Sequence, residues 1–288
     1  MKYVLFNPHA CSGTAKKCIE PYLESLTESY TLVDMTEISS YEEFFAPIFE
    51  SDEVVICGGD GTINRFVNES AGVEIKCSVY YLPAGSGNDF ARDVALTDAS
   101  EPFLLDDYIK DLPSVTVNGK ESFFINGVGY GIDGYCCEVG DKLRETGKNV
   151  NYTSIAIKGL LFHFKPANAT VTVDGVEHKF KRAWIAPTMF GRFYGGGMMP
   201  TPDQKRGEGE KKLSLMILYN TSKLKTLMIF PKLFKGEHVG NKNVAIFTGD
   251  EITVRFDRPT ALQIDGETVL GVEEYTARAT KHDTVSVG

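Results

Sequence analysis

The sequence predicts a mixed fold, an N-terminal parallel α/β domain followed by a C-terminal antiparallel β-sandwich, and three observations lead to it. Apolar strand-like runs alternate with helix-like runs between Tyr3 and Lys110. At Asn118-Gly119 the pattern changes to hairpin chemistry, and from Ala169 onward short alternating runs follow one another with turns between them. Alternation of strand and helix implies a parallel sheet, whereas short strands punctuated by turns imply a sandwich or barrel. We therefore expect one domain over residues 1–118 and a second over residues 119–288.

In chain order, Tyr3-Val-Leu-Phe6 is a compact apolar run ending in Asn7-Pro8. The small polar segment Ala10-Cys-Ser-Gly-Thr14 then leads into a helix through Leu26. Residues 30–35 read as a second strand, 41–49 as a helix and 53–57 as a third strand. That strand feeds Gly58-Gly-Asp-Gly-Thr-Ile-Asn64, after which Ile63, Phe66 and Val67 recur at helical spacing. Gly58, Gly59 and Gly61 carry no Cβ to keep a bulky ligand off the backbone, so a phosphate can approach main-chain N–H groups at a helix N-terminus. A fourth strand over 78–82 runs into Pro83-Ala-Gly-Ser-Gly-Asn-Asp-Phe-Ala-Arg92, a second glycine-rich turn entering a helix, and 102–110 reads as a further helix. Open α/β sheets bind ligands outside the carboxyl ends of their strands. Taken singly, each turn has a plainer reading: Asp-Gly is a tight turn, Ser12-Gly13 an ordinary cap, Asn88 and Asp89 caps as well. Their convergence on one crevice points to a nucleotide.

Beyond this region, the strand 114–117, the Asn118-Gly119 turn and 121–126 have the pattern of a hairpin. Gly127-Val-Gly-Tyr-Gly-Ile-Asp-Gly134 sets Asp133 just ahead of a helix, where an N-cap is the plain reading, and 152–164 suggests another helix. Strands are expected over 170–173, 176–187, 213–219, 244–247, 252–256, 261–264 and 284–287. Within this series, 224–235 is an amphipathic helix carrying Leu224, Leu227, Met228 and several lysines. It and the Met-, Phe- and Gly-rich 189–200 are candidate contacts for a lipid surface, set against the reading of ordinary core and loop. Leu262-Gln-Ile-Asp-Gly-Glu-Thr268 is a hairpin whose two acids could accept a hydroxyl proton.

Composition narrows the partners. A formal net charge of -9 argues against nucleic acid. The first apolar run is too short for a secretion signal, and the stretches 155–164 and 224–234 fall short of a membrane span and contain lysines. Six cysteines, Cys11, Cys18, Cys57, Cys77, Cys136 and Cys137, show no metal-type C-x-x-C pairing. The expectation is a reduced, cytoplasmic chain, with a peripheral place at the inner membrane face as an option.

The residues carry a family signature. Asn7-Pro with Ser12-Gly13, Gly58-Gly-Asp-Gly-Thr-Ile-Asn64 with Asn68, Pro83-x-Gly-Ser-Gly-Asn-Asp-Phe-Ala-Arg92, Gly129-x-Gly-x-Asp133 and Asp265-Gly-Glu267 follow one another across nearly the whole chain. In this the sequence resembles the soluble diacylglycerol kinase and sphingosine kinase family, in its bacterial lipid-kinase branch. The resemblance implies a two-domain kinase that uses ATP and Mg²⁺ to phosphorylate a lipid alcohol, most simply diacylglycerol, in a cleft that domain closure completes. It also implies that Asn7, Ser12, Gly13, Gly59, Asp60, Gly61, Thr62, Asn64, Gly85 and Ser86 line the nucleotide, with Thr36 near the base. By the same resemblance Asp265 or Glu267 is the general base, and Asp60 and Asp133 hold magnesium through water.

Two departures stand out. Relatives usually carry Glu where this chain has Arg65. The acidic Asp-Gly-x-Leu-Asp segment that binds a structural Mg²⁺ in many of them is here Asp203-Gln-Lys-Arg-Gly-Glu-Gly-Glu-Lys-Lys-Leu213, with only Asp203, Glu208 and Glu210 as possible ligands. Two other functions compete with the lipid kinase. A NAD kinase shares the Gly-Gly-Asp-Gly loop, and a regulator that binds nucleotide or lipid without turnover would tolerate the departures. The lipid itself and the oligomeric state are not legible.

Overall fold

In the computed structural model, residues 1–85, 87–94, 101–148, 150–206, 211–279 and 286–287 are described, with 11, 12, 286 and 287 described in backbone only. The chain divides into two compact units, Met1–Leu112 with Thr280–Gly288, and Pro113–Ala279.

The strands of the first unit are β1 (Lys2–Phe6), β2 (Tyr30–Asp34), β3 (Glu53–Gly58), β4 (Glu74–Ile75), β5 (Ser78–Pro83) and β6 (Phe103–Leu104). Its helices are α1 (Ala10–Gly13), α2 (Ala15–Ser25), α3 (Tyr41–Phe45), α4 (Asp60–Glu69), α5 (Asp89–Asp93) and α6 (Asp106–Ile109). The main sheet has the order β2-β1-β3-β5-β6, parallel except for β6. Successive residues Val4 and Leu5 are both fully buried, and Val54, Val55 and Ile56 in a row are buried as well, because helices cover both faces of a parallel sheet. From β1 the chain goes to β2 on one side and then to β3 on the other. The switch point therefore lies between β1 and β3, and sheets of this kind bind ligands at the carboxyl ends of the strands there.

Two expectations change here. The helix expected over 102–110 is instead β6 followed by α6, because the Phe103 ring stacks on Phe90 at 6.0 Å and meets Tyr81 edge-on at 5.6 Å, which holds this segment against the sheet. The small polar segment before α2 is not a plain lead-in but forms α1 and ends at Gly13, whose φ of 83° suits a residue without Cβ.

The second unit has strands β7 (Ser114–Val117), β8 (Lys120–Phe123), β9 (Gly127–Gly131), β10 (Ala167–Val173), β11 (Val176–Ala183), β12 (Ile185–Met189), β13 (Leu213–Leu218), β14 (Val244–Gly249), β15 (Glu251–Ile264) and β16 (Glu267–Arg278). Its helices are α7 (Ile132–Glu145), α8 (Tyr152–Lys158) and α9 (Lys223–Ile229). Their pairing is antiparallel throughout, in the order β14-β13-β12-β9-β15-β16-β7-β8, with β10 joining β15 to β11. The register of β15 shifts near Thr260, so residues 252–256 pair with β10 and 262–264 pair with β9. One bent strand thus serves both layers of the sandwich. The turns Asn118-Gly119, Asp174-Gly175 and Asp265-Gly266 all have positive φ at both residues, the type I′ geometry that matches strand twist. Residue 118, where the sequence placed the domain junction, is the tip of the β7–β8 hairpin, and the chain changes unit ahead of it, at Leu112. A final strand, β17 (Ser286–Val287), pairs in parallel with β4; the rest of the strand expected over 284–287 lies outside the described residues.

The sandwich core surrounds Trp184, which is fully buried with its indole N–H donating to the Thr221 carbonyl at 3.2 Å. Ile132, Ile155, Leu160, Met216, Leu218 and Leu233 pack around it. The helices expected over 152–164 and 224–235 each break in two. Gly159 lies so close to Tyr135 that a Cβ would come within 2.6 Å of its ring, and there α8 gives way to a π-turn, Gly159–His163. Pro231 lacks the N–H that α9 would need to continue, and a 3-10 turn, Phe230–Lys235, follows. Among the described residues no helix is long and apolar enough to cross a membrane.

Leu215 is fully buried at the centre of β13, between β12 and β14. Leu215→Ala is expected to lower the unfolding free energy by about 2–5 kcal/mol, measured by urea unfolding followed through the Trp184 emission. A loss under about 1 kcal/mol would show that this part of the core is not packed as described.

Candidate active site

Two glycine-rich loops meet at the carboxyl ends of β3 and β5. A Cβ on Gly85 would lie 2.4 Å from the Gly59 Cα, and one on Gly58 would lie 2.2 Å from the Thr62 hydroxyl oxygen. Gly85 is needed for packing on the Gly59 backbone and Gly58 for packing on the Thr62 side chain, a reason independent of any ligand. The Gly58 carbonyl accepts from the Ala84 N–H at 2.8 Å and from the buried Tyr81 hydroxyl at 2.9 Å. Asn88, in the left-handed region at φ 48°, turns its side-chain oxygen to the Gly85 N–H at 3.0 Å.

Asp60 completes the interlock. Although it lies in the first turn of α4, its two carboxylate oxygens accept the N–H groups of Asp89 at 2.9 Å and Phe90 at 2.8 Å, capping α5. Phe90 is fully buried among Tyr81, Phe103 and Tyr108, so α5 is anchored from below while Asp60 holds its start. The N-terminus of α4 itself begins at Gly59 with no side-chain cap. Gly61 and Thr62 follow within that first turn, and Asn64, buried one turn on, accepts from the Asn68 amide.

The remaining nucleotide-side candidates are spread along the strand ends. Asn7, just after β1, accepts the His9 N–H at 3.0 Å and shapes the turn into α1. Thr36, after β2, commits both its N–H and its hydroxyl to Asp34, at 2.8 and 2.7 Å. Burial opposes the effect, but those two hydrogen bonds still hold the Asp34 carboxyl below its ordinary range. The side chain of Ser12, and Ser86 altogether, lie outside the described residues, as do Glu208 and Glu210. Arg65 is paired with Glu69 one turn along α4 at 2.8 Å, a partly exposed helix-surface pair.

In the second unit, Asp133 is not the N-cap of α7, because that place belongs to Gly131, whose φ of 107° only glycine adopts readily. Asp133 lies in the first turn and is buried against Gly129, where a Cβ would sit 1.7 Å from its Oδ2 and 2.8 Å from the Gln263 amide nitrogen. The Tyr194 hydroxyl donates to Oδ2 at 3.3 Å, while Oδ1 and the Gln263 amide nitrogen have no partner among the described residues. Burial, opposed only in part by nearby N–H groups and Tyr194, pushes the Asp133 carboxyl up to about 7. This carboxyl is therefore divided between neutral and charged forms at neutral pH.

Asp265 has a different setting. In the Asp-Gly turn at φ 47°, its carboxylate accepts three backbone N–H groups, from Ile125 at 2.5 Å, Asn126 at 2.8 Å and Gly127 at 2.9 Å. Arg206 grips the same loop from its other groups, donating to the Ile125 carbonyl at 2.5 Å and the Asn126 side chain at 2.8 Å, with its guanidinium over the Phe190 ring. Glu267, two residues on, is exposed and makes no hydrogen bond or ion pair among the described residues.

Sequence reading missed Tyr81, Tyr194, Arg206 and Gln263. None belongs to a glycine motif, and each acts through a tertiary contact. Only the position of Gln263, inside the Leu262–Thr268 run, offered a signal.

The fold and these loops define a class: a parallel α/β unit with glycine-rich loops at its switch point, joined to an antiparallel sandwich. Residues 2–111 match the diacylglycerol kinase catalytic domain, and residues 126–279 match the YegS C-terminal NAD kinase beta sandwich-like domain. The chain belongs to the diacylglycerol kinase family, in its bacterial lipid-kinase branch. The diacylglycerol kinase of Mycobacterium tuberculosis (strain ATCC 25618 / H37Rv) is 28% identical over 197 residues, covering 66% of this chain and 62% of that protein, so the match takes in less than two thirds of the relative's length. That of Bacillus subtilis (strain 168) is 24% identical over 229 residues, covering 77% and 73%. Of solved structures from Bacillus anthracis str. Sterne, one matches with a TM-score of 0.66 at 18% identity, covering 100% of this chain and 97% of the other. Another, described as a diacylglycerol kinase, matches with 0.59 at 17%, covering 100% and 96%. They share the fold.

Asp60→Asn sets an NH₂ group against an amide N–H and is expected to lower the unfolding free energy by about 1–2 kcal/mol, measured by urea unfolding. Full stability in this variant would remove the interlock.

For Asp133 the sign follows from its raised value. An unfolded Asp titrates near about 3.9, so between that value and about 7 the folded chain holds a proton that the unfolded chain releases, and the residue's contribution to stability is lost as pH rises through this window. Asp133→Asn is neutral throughout. Its stability relative to the parent is expected to grow by about 2 kcal/mol between pH 5 and pH 8, read from urea unfolding at each pH, and a flat difference would refute the buried neutral carboxyl.

Proposed function

We propose that the protein is an ATP-dependent lipid kinase that transfers the γ-phosphate to a lipid hydroxyl, with diacylglycerol as acceptor and phosphatidic acid as product. The observation that carries this reading is the cap exchange at Asp60: its carboxylate is spent on α5, and the N-terminus of the ten-residue α4 is left without a side-chain cap beside loops packed backbone to backbone. Amide N–H groups and the helix dipole there favour a phosphate. Gly59, Gly61 and Thr62 form that start with Asn64 one turn on, Gly85 stands in the facing loop, and Asn7, Ser12, Gly13 and Thr36 follow β1 and β2; Ser86 joins this set on the motif alone.

Mg²⁺ belongs to this reading, where it would neutralise charge on the phosphates. Such an ion keeps several waters and takes one or two carboxylates beside the nucleotide's own oxygens. The unpartnered Oδ1 of Asp133 suits a water-mediated ligand, and Asp60 keeps a lone pair on each oxygen although both already hold amides.

Of the two acids on the Asp265–Glu267 turn, Glu267 is the base. Its carboxylate is uncommitted and exposed, whereas that of Asp265 is held by three amides and sets the position of the 125–127 loop. In the reaction, Glu267 accepts the acceptor's hydroxyl proton, the freed oxygen forms the bond to the γ-phosphorus, and the bond to the β-phosphate oxygen breaks to release ADP.

Labelled γ-phosphate offered as Mg-ATP with diacylglycerol, monoacylglycerol, sphingosine and undecaprenol in mixed micelles, and with NAD in parallel, is expected to yield labelled phosphatidic acid. Labelled NADP, or no lipid product despite ATP binding, would overturn the reading. Glu267→Gln is expected to lower kcat by about 100-fold or more with an unchanged Tm, whereas Asp265→Asn lowers both kcat and Tm. A fully active Glu267→Gln would return the base to Asp265.

A further inference from the structure

In the second unit, α8 with its π-turn and α9 with its 3-10 turn lie side by side. Their inner faces enter one core through Ile155, Leu160, Ile229 and Leu233. The Lys223 ammonium donates to the Leu161 carbonyl at 2.7 Å and ties the two together. Their outer faces are apolar where solvent would favour polar groups: Phe162, Leu224 and Met228 are 72%, 69% and 67% exposed. Leu224 and Met228 are four residues apart on one face of α9. Phe162 is next to the residue that holds Lys223, itself next to Leu224.

The charge around this patch runs against that of the chain. Residues 152–165 and 221–236 contain six lysines and no acid, in a chain of net charge -9. Lys158, Lys232 and Lys235 are exposed and make no ion pair or hydrogen bond through their side chains among the described residues. An apolar patch rimmed by unpaired lysines matches a surface that is apolar within and negative at its edge. A second copy of the chain fits poorly, because a two-fold contact would set the same lysines against each other.

We propose that this face docks the protein on an anionic phospholipid bilayer, with Phe162, Leu224 and Met228 in the boundary between headgroups and acyl chains and Lys158, Lys232 and Lys235 among the lipid phosphates. For its purpose the docking rests on the lipid-kinase reading, since an enzyme whose acceptor stays in a bilayer must work at its surface. The surface chemistry stands without it.

The test is co-sedimentation of the full chain with vesicles of phosphatidylglycerol and phosphatidylcholine in equal parts, and with vesicles of phosphatidylcholine alone. Binding to the mixed vesicles is expected to fall at least about tenfold without phosphatidylglycerol or with added salt. Phe162→Ser/Leu224→Ser/Met228→Ser is expected to lose about tenfold or more. Each lysine near an anionic surface contributes roughly a fivefold gain, so Lys158→Gln/Lys232→Gln/Lys235→Gln is expected to lose about a hundredfold. All these positions are exposed, and an unchanged Tm checks that each variant folds.

Undiminished binding by either triple variant would overturn the proposal, as would salt-insensitive binding. A stable solution dimer that Leu224→Ser/Met228→Ser splits would also overturn it, assigning the face to a second copy. Turnover of dispersed dioctanoylglycerol separates the two readings. Variants that keep this turnover but lose vesicle binding support both, whereas a parent that binds vesicles through this face and phosphorylates no lipid keeps the docking and removes the kinase.

Discussion

The bond between the Asp60 carboxylate and the first amides of α5 is the constraint on which the first unit's loops depend. One side chain joins two glycine-rich segments far apart in sequence, which brings Gly85 so close to Gly59 that a Cβ on Gly85 would lie 2.4 Å from the Gly59 Cα. Such a contact has little strength in apolar area. Hydrogen bonds to an ionised acceptor are stronger than neutral ones, and here they stand beside a buried aromatic cluster around Phe90 that resists rotation of the helix. The loops are held as a rigid cradle, and the open helix start beside them follows from where Asp60 points.

The sandwich uses the same device. Asp265, on a tight turn, gathers the amides of residues 125–127 as Asp60 gathers those of α5. Arg206 adds a cation on the carbonyl side of the captured loop. In both units a short acidic side chain gathers backbone amides from a segment distant in the chain, the first turn of α5 for Asp60 and residues 125–127 for Asp265, so backbone groups that would otherwise need water are satisfied within the protein.

Much of this architecture was legible in the sequence because it rests on local rules. Strand–helix alternation and the Asn-Gly and Asp-Gly turns each specify backbone geometry within a few residues, and both fold classes follow from them. The failures share one cause. Residues 102–110 looked helical because nothing local shows that Phe103 will stack on Phe90, and 152–164 looked like one helix because the approach of Tyr135 to Gly159 is tertiary. The glycines of the motifs are legible as a pattern and as room for a ligand, whereas the close approach of Gly58 to Thr62 and of Gly85 to Gly59 already requires those two. The side chains of Tyr81, Tyr194 and Arg206 reach partners distant in the chain.

The four acids that the motifs present alike occupy four different physical states. Asp60 is a helix cap with both oxygens engaged, Asp265 a carboxylate that accepts three amides, Asp133 a buried carboxyl with one oxygen that has no partner among the described residues, and Glu267 an exposed carboxylate with none among them. Proton transfer needs a group whose lone pair is available and whose movement breaks nothing else. Asp60 and Asp265 fail on the second count, because each would release a loop. Asp133 fails differently: burial already draws a proton onto it near neutral pH, and a nearby divalent cation would instead favour its charged form. That opposition suits a group that responds to a cation rather than one that turns over protons. Glu267 alone meets both conditions, and the division follows from hydrogen bonding and burial rather than from the motif in which each acid stands.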